Sequence, residues 1–251
     1  ILYAQRVTAN GDMAWPQAVQ IVDSVNVYYM AAAPATDGSI LVAWHSYDYG
    51  IFASRVVTDG SLPWGPNGAP VQALDASMSG LQITPDGTDG CYVTWLDYRN
   101  NEGRIYAQRL ASDGQPVWVV NGIPLSTSSG WEPEAALSLC DGEPDGMVAI
   151  WQHWDQDNQF TIYAQKVSPE GVAAWTEGGI PLSNLEQSWR TATSVTTDHN
   201  GGLVAAWQRG QTGSSGLHVY AARLRSNGTL AWSSDPFPVG GSSMYQAPAI
   251  A

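Results

Sequence analysis

Acidic residues gather in two short stretches. Asp86 is followed by Asp89 in a Gly-containing segment, and Asp141, Glu143 and Asp145 alternate through Cys140–Gly146. Such stretches suit calcium, which takes about six to eight oxygen ligands. They equally suit tight turns, because Asp accepts hydrogen bonds from nearby backbone N–H groups and Gly adopts positive φ. The matching segments Asp37-Gly38 and Asp198-His199-Asn200-Gly201 hold fewer acids. The turn reading is therefore preferred, with calcium on Asp86, Asp89, Asp141 and Asp145 as the alternative, and no cofactor is expected.

His153 and Asp155 stand two residues apart at a predicted strand end, where alternate side chains share a side. A working acid–base pair also needs a nucleophile or an orienting third group, and none adjoins them. Carboxylate pairs for glycoside hydrolysis are set by distance in space rather than along the chain, so a hydrolase or lyase is kept as an alternative to binding.

Aromatic residues mark a second kind of site. Tyr28, Trp131, Trp189 and Tyr245 each precede a predicted strand, with Met78 in the fifth such place. Nearby variable segments carry His45 to Tyr49, Asp97-Tyr98-Arg99, His153-Trp154-Asp155-Gln156-Asp157 and Arg209 to Leu217. Rings beside Asp and Arg form platforms for sugars or peptides, by stacking plus directional hydrogen bonds. Tyr28, Trp131, Trp154, Trp189, Tyr245, Asp97, Arg99 and Asp155 are the candidate ligand-binding residues. The competing reading is that the rings fill gaps between structural units.

The elements that position these residues repeat. Ile105-Tyr106-Ala107-Gln108-Arg109-Leu110 recurs at residues 2–7, 51–56, 162–167 and 219–224. A turn and a tryptophan follow each copy: Trp15, Trp64, Trp118, Trp175 and Trp232, spaced by 49, 54, 57 and 57 residues. A period of this length marks a repeat architecture. The recurring cation (Arg6, Arg55, Arg109, Lys166, Arg223) is read as stacking on tryptophan or pairing with a turn carboxylate, since a catalytic centre needs one asymmetric set of groups rather than five copies.

Each unit resolves into four short strands. The clearest begins with Glu134 to Leu139, a turn over Cys140–Gly146, and the apolar run Met147–Trp151, which suits a fully buried strand. The Tyr-Ala-Gln-Arg strand ends in Asn10-Gly11, Asp59-Gly60, Asp113-Gly114, Glu170-Gly171 or Asn227-Gly228, read as type I′ hairpin turns with two positive-φ residues. A proline-bearing fourth strand such as Gly122-Ile123-Pro124-Leu125 suits an outer edge. Four antiparallel strands repeated about every 55 residues describe a β-propeller. The prediction is one all-β domain over 1–251, with units near 1–50, 51–104, 105–161, 162–217 and 218–251. Predicted first, third and fourth strands occur five times and second strands four times, so an incomplete chain or part of a larger ring is expected.

The pattern Ile-Tyr-Ala-Gln-Arg-Leu, Asp-Gly, Trp, Asn-Gly-Ile-Pro-Leu, then Val-Ala-x-Trp, resembles the propeller-type repeats of large secreted or surface-exposed bacterial proteins. The similarity spans nearly the whole chain and is cleanest over residues 105–125. The first repeat departs from it, because Trp15-Pro16-Gln17-Ala18-Val19 lacks the Asn-Gly-x-Pro segment. The resemblance implies an extracellular or cell-surface location and a scaffold or recognition role, and it carries no catalytic residues. The Asp-Gly-x-x-x-Trp turn also occupies the place of the Asp-box of sialidase-type propellers, yet lacks its extra residues.

Composition narrows the partners. The net charge is −13, with Lys166 the only lysine, which repels nucleic acid and offers no polybasic patch for lipid. No 18-residue apolar run or lipidation motif is present. Cys91 and Cys140 lie at non-equivalent places and are read as buried thiols. These features point to a non-enzymatic recognition or structural module with a protein partner, with glycan binding as the alternative.

Overall fold

The computed structural model describes residues 1–23, 26–47, 50–73, 78–99, 103–127, 138–141, 146–154, 160–183, 193–210, 217–232 and 237–240. At 138–141, 160, 209–210, 217 and 237 only the backbone is described. Trp131, Asp145, Asp155, Trp189, Tyr245 and the side chain of Asp141 lie outside these residues.

The described residues form one two-stranded and four four-stranded antiparallel sheets. The small sheet pairs β1 (Leu2–Ala4) with β2 (Val19–Val22). The first full blade is β3 (Val27–Pro34), β4 (Ile40–Ser46), β5 (Gly50–Val56) and β6 (Ala69–Gln72). The second is β7 (Met78–Pro85), β8 (Cys91–Asp97), β9 (Arg104–Leu110) and β10 (Ile123–Pro124). The third is β11 (Ser138–Asp141), β12 (Met147–Trp154), β13 (Phe160–Val167) and β14 (Ile180–Pro181), and the fourth β15 (Thr193–Thr197), β16 (Leu203–Gly210), β17 (Leu217–Leu224) and β18 (Phe237–Gly240). Every full blade is a simple meander. First strands of successive blades pack on one another, so they lie at the centre and the fourth strands outermost, as in a propeller. Pro70, Pro124, Pro181 and Pro238 all fall on fourth strands, where a missing N–H breaks no ladder bond.

The second strand of the third blade is apolar on both faces because neighbouring blades cover both faces of its sheet. Met147, Val148, Ala149, Ile150 and Trp151 are all buried. Three second-strand tryptophans stack on the third-strand ring across the ladder: Trp44 on Phe52, Trp95 on Tyr106 and Trp151 on Tyr163, with centroids 6.0, 6.2 and 6.0 Å apart. Cys91 opens β8 as a free thiol, and burial pushes its pKa far up.

Three local expectations are corrected. The hairpin turns are not type I′. Gly60 N–H donates to the Val57 carbonyl, only Gly60 of the central pair has positive φ, and Val57 N–H donates to Ser61; the same bonding closes the other four. This is a type I turn followed by a left-handed Gly. Asp59 stays right-handed because its carboxylate accepts the Ser61 N–H at 2.9 Å. Second strands also run beyond tryptophan, placing Asp97, His153 and Trp154 on strands, because Asp97 still pairs with Arg104 and Trp154 with Phe160. Finally, β11 continues to Asp141, which pairs with Met147, so Cys140 and Asp141 are strand rather than turn.

Candidate functional site

One end of the propeller gathers the start of each first strand and the close of each second. Val27 pairs with Ser46, and Met78 with Asp97. Among the described residues, strand register therefore brings Tyr28 and Met78 and the ends of their blades' second strands to one face.

On the first full blade this face carries four rings. Tyr28 and Tyr47 are 63% and 62% exposed, with centroids 5.5 Å apart and planes tilted by 39°. Tyr29 stacks on His45 at 6.3 Å, and Tyr28 lies 6.5 Å from the same imidazole. His45 is buried, burial holds its pKa below the ordinary value, and its Nδ1 has no hydrogen-bond partner among the described residues. The arrangement is a buried imidazole beside the solvent-facing Tyr28 phenol, which in turn packs against Tyr47. Sequence reasoning singled out Tyr28; it missed Tyr29 and the pairing with Tyr47, for which the adjacent Tyr28-Tyr29 and the aromatic Tyr47 after the second strand were the available signals.

The other described candidates serve the scaffold. Asp97 is fully buried and accepts the Trp95 indole N–H at 2.9 Å and the Arg99 N–H at 2.8 Å. The Arg99 guanidinium pairs with that carboxylate, donates to the Asn121 carbonyl at 2.9 Å and sits 3.8 Å over the Tyr106 ring. Asp97 and Arg99 thus brace their own blade, and a ligand meets neither carboxylate oxygen. Trp154 is half-buried against the cluster holding Trp175, Leu203 and Trp207, so it fills the junction between the third and fourth blades.

Arg55, Arg109 and Arg223 are clamps on turn carboxylates, as one of the two readings held. Arg109 binds Asp86 through Nε at 2.9 Å and Nη2 at 2.8 Å, and donates to the Pro169 carbonyl of the next blade at 3.2 Å. Arg55 pairs with Asp37 at 2.7 Å and with Asp89 of the next blade at 2.9 Å. Arg223 pairs with Asp198 at 2.9 Å, and Lys166 donates to the Gly201 carbonyl at 2.9 Å. The calcium alternative is corrected at Asp86 and Asp89: each faces a different arginine, and Asp86 also accepts the N–H groups of Thr88 and Gly90. A cation there would have to displace guanidinium groups. Among the described residues no cluster of three or more His, Cys, Asp or Glu side chains could hold a metal.

No family model and no curated protein matches the chain. Solved structures do. The BP39L lectin from Burkholderia pseudomallei superposes with a TM-score of 0.57 over 93% of this chain and 62% of its own, at 14% identity. The chain is a β-propeller. A thermostable family-43 glycoside hydrolase gives a TM-score of 0.49 at 11% identity, covering 89% of this chain and 75% of its own. The Hadza microbial sialidase Hz136 gives 0.46 at 13%, covering 84% and 47%. The propeller thus spans less than two thirds of the lectin's length, and at these identities the likeness is one of fold.

Proposed function

We propose that the propeller is a non-enzymatic, extracellular or surface-exposed recognition module that binds a glycan on the tyrosine-bearing end of its first full blade. The observation that carries this is the paired exposure of Tyr28 and Tyr47 beside buried His45. A sugar offers a C–H face that stacks on phenol rings and hydroxyls that need directional partners, and tyrosine answers both. The shared fold with a lectin supports the reading. A non-catalytic role is supported by Asp97, whose carboxylate is spent on Trp95 and Arg99.

A glycan array followed by calorimetric titration of the best ligand tests it. Tyr28→Ala and Tyr47→Ala should each weaken binding about fivefold, the equivalent of roughly 1 kcal/mol, without moving the unfolding midpoint. An array with no bound sugar, or binding that survives both substitutions, sinks the proposal and leaves a protein partner on the same rings as the reading to pursue.

A further inference from the structure

The position after the second-strand tryptophan is buried in every full blade. Register equates His45 with Leu96, Gln152 and Gln208, which pair with Ile51, Ile105, Ile162 and Val219 in turn. Their exposures are 7%, 1%, 3% and 6%. Of these four side chains only the imidazole gains a charge near neutral pH.

The surroundings of His45 do not suit a cation. β3 supplies Tyr29, stacked at 6.3 Å with planes 15° apart, and Tyr28 at 6.5 Å, with Tyr47 against Tyr28. β5 supplies Ile51, directly across the ladder. β7, which packs on β3 and β4, begins at this end with Met78, Ser79 and Gly80. β8 ends there in Asp97, whose carboxylate is held by Trp95 and Arg99 and lies across the ladder from Arg104. Among the described residues no carboxylate pairs with the imidazole, and its Nδ1 has no hydrogen-bond partner. An imidazolium donates from both nitrogens. Protonation in place would bury an N–H without an acceptor and a charge without a counter-ion, and both are costly. Rings centred 6.3 and 6.5 Å away lie beyond the about 6 Å within which an aromatic face attracts a cation. Desolvation therefore wins, and His45 stays neutral to a lower pH than an ordinary histidine. A charged ring reaches water only by leaving this position, and Tyr28 and Tyr29 lie against it.

We infer that the tyrosine-bearing end is an acid-released platform: protonation drives His45 outward, shifts Tyr28 and Tyr29 with it, parts Tyr28 from Tyr47 and so frees the bound sugar. The release of a sugar rests on the glycan reading above; the movement of the rings does not. The opened form takes up the proton more readily than the closed one. Closure is therefore complete above the ordinary histidine value of about 6.5 and is lost as pH falls below it. A single proton links the two forms, so affinity falls by no more than about tenfold per pH unit.

Proton NMR of the intact protein between about pH 7.5 and about pH 5 tests the ring movement without any ligand. The His45 signal, assigned by its loss in His45→Leu, should titrate below the ordinary histidine range, and the Tyr28 ring signals should move with the same midpoint. A glycan array read at both pH values tests release. Sugars retained at the higher pH should lose about tenfold in signal at the lower. His45→Leu, which supplies the side chain found at Leu96, should lose far less, whereas His153→Gln on the third blade should lose as much as the unaltered protein. A His45 that titrates at or above the ordinary range, or Tyr28 signals that ignore its titration, overturns the inference. Equal retention at the two pH values also overturns it and leaves glycan binding itself standing. An array blank at both removes the glycan reading, and the NMR titration then decides the inference alone.

Discussion

The indole N–H of Trp118 donates to the carbonyl oxygen of Pro169 at 2.9 Å, 51 residues further along and in the next blade. Trp15, Trp64 and Trp175 make the same bond to Thr58, Ser112 and Ser226 at 3.0, 2.9 and 3.0 Å. The acceptor always belongs to the next hairpin turn, and the ring lies against the Gly of that turn. The turn and the tryptophan that recur together in sequence are thus two halves of a latch, each half engaging a different neighbour.

Trp118→Phe should keep the buried ring and lose the donor, lowering stability by about 1 kcal/mol. Trp118→Ala should cost about 3–5 kcal/mol, because it also opens a cavity. Urea unfolding of the two variants separates the hydrogen bond from the packing. Equal losses would show that the indole N–H contributes nothing.

Gly114 and Gly65 make a matched pair. Both have positive φ, +80° and +83°, but a Cβ on Gly114 would lie 2.9 Å from the Trp64 ring while one on Gly65 meets nothing within 4 Å. Gly65→Ala should cost about 1–2 kcal/mol for the left-handed backbone alone. Gly114→Ala should cost more and loosen Trp64 from Ser112, seen as red-shifted tryptophan emission. Matching values for the two variants would show that the latch relaxes freely.

Arg109→Ala strips the guanidinium from Asp86, whose side chain is 0% exposed. Removing one partner of a buried ion pair costs about 3–5 kcal/mol. Arg6 is exposed, and its guanidinium makes a 3.3 Å bond to the Thr58 carbonyl, so Arg6→Ala should stay within about 0.5 kcal/mol. Chemical denaturation of both variants checks the contrast.

Acid should weaken the clamps through their carboxylates. The Ser39 hydroxyl and N–H, then Arg55, draw Asp37 down from 3.8 to about 2. Burial opposes the same shift at Asp198, but the Asn200 N–H, Arg223 and the Gly202 N–H outweigh it. A carboxyl with a depressed folded pKa contributes stability that is present above its ordinary value and lost as pH falls through the folded value. Thermal midpoints measured between about pH 5 and pH 2 should fall mainly below the ordinary carboxylate range, and Asp37→Asn should flatten the fall. An unchanged slope in that variant would remove Asp37 from the account.

The repeat, the four strands per unit, the central apolar strand and the proline-bearing edge were legible in the residues, because alternation and turn chemistry are local. The turn type was not. It depended on whether the Asp or Asn side chain would capture a backbone N–H and keep its own φ negative, and Asp59 does so with Ser61. The function of the recurrent Gln was also invisible. Gln108 accepts the Arg109 and Trp118 N–H groups and donates to the Val119 carbonyl, pinning the tryptophan turn to its strand.

By itself, then, the sequence determined what each unit is: the order of its strands, the places of its glycines, and the tryptophan and cation carried by every copy. Only the tertiary structure decided what those groups touch. Trp118 finds Pro169, Arg55 finds Asp89, and Tyr28 meets Tyr47 in the open. The physical reason is that these contacts join different blades, or residues at separate strand ends, and their distances are set by how sheets stack around an axis rather than by any spacing along the chain.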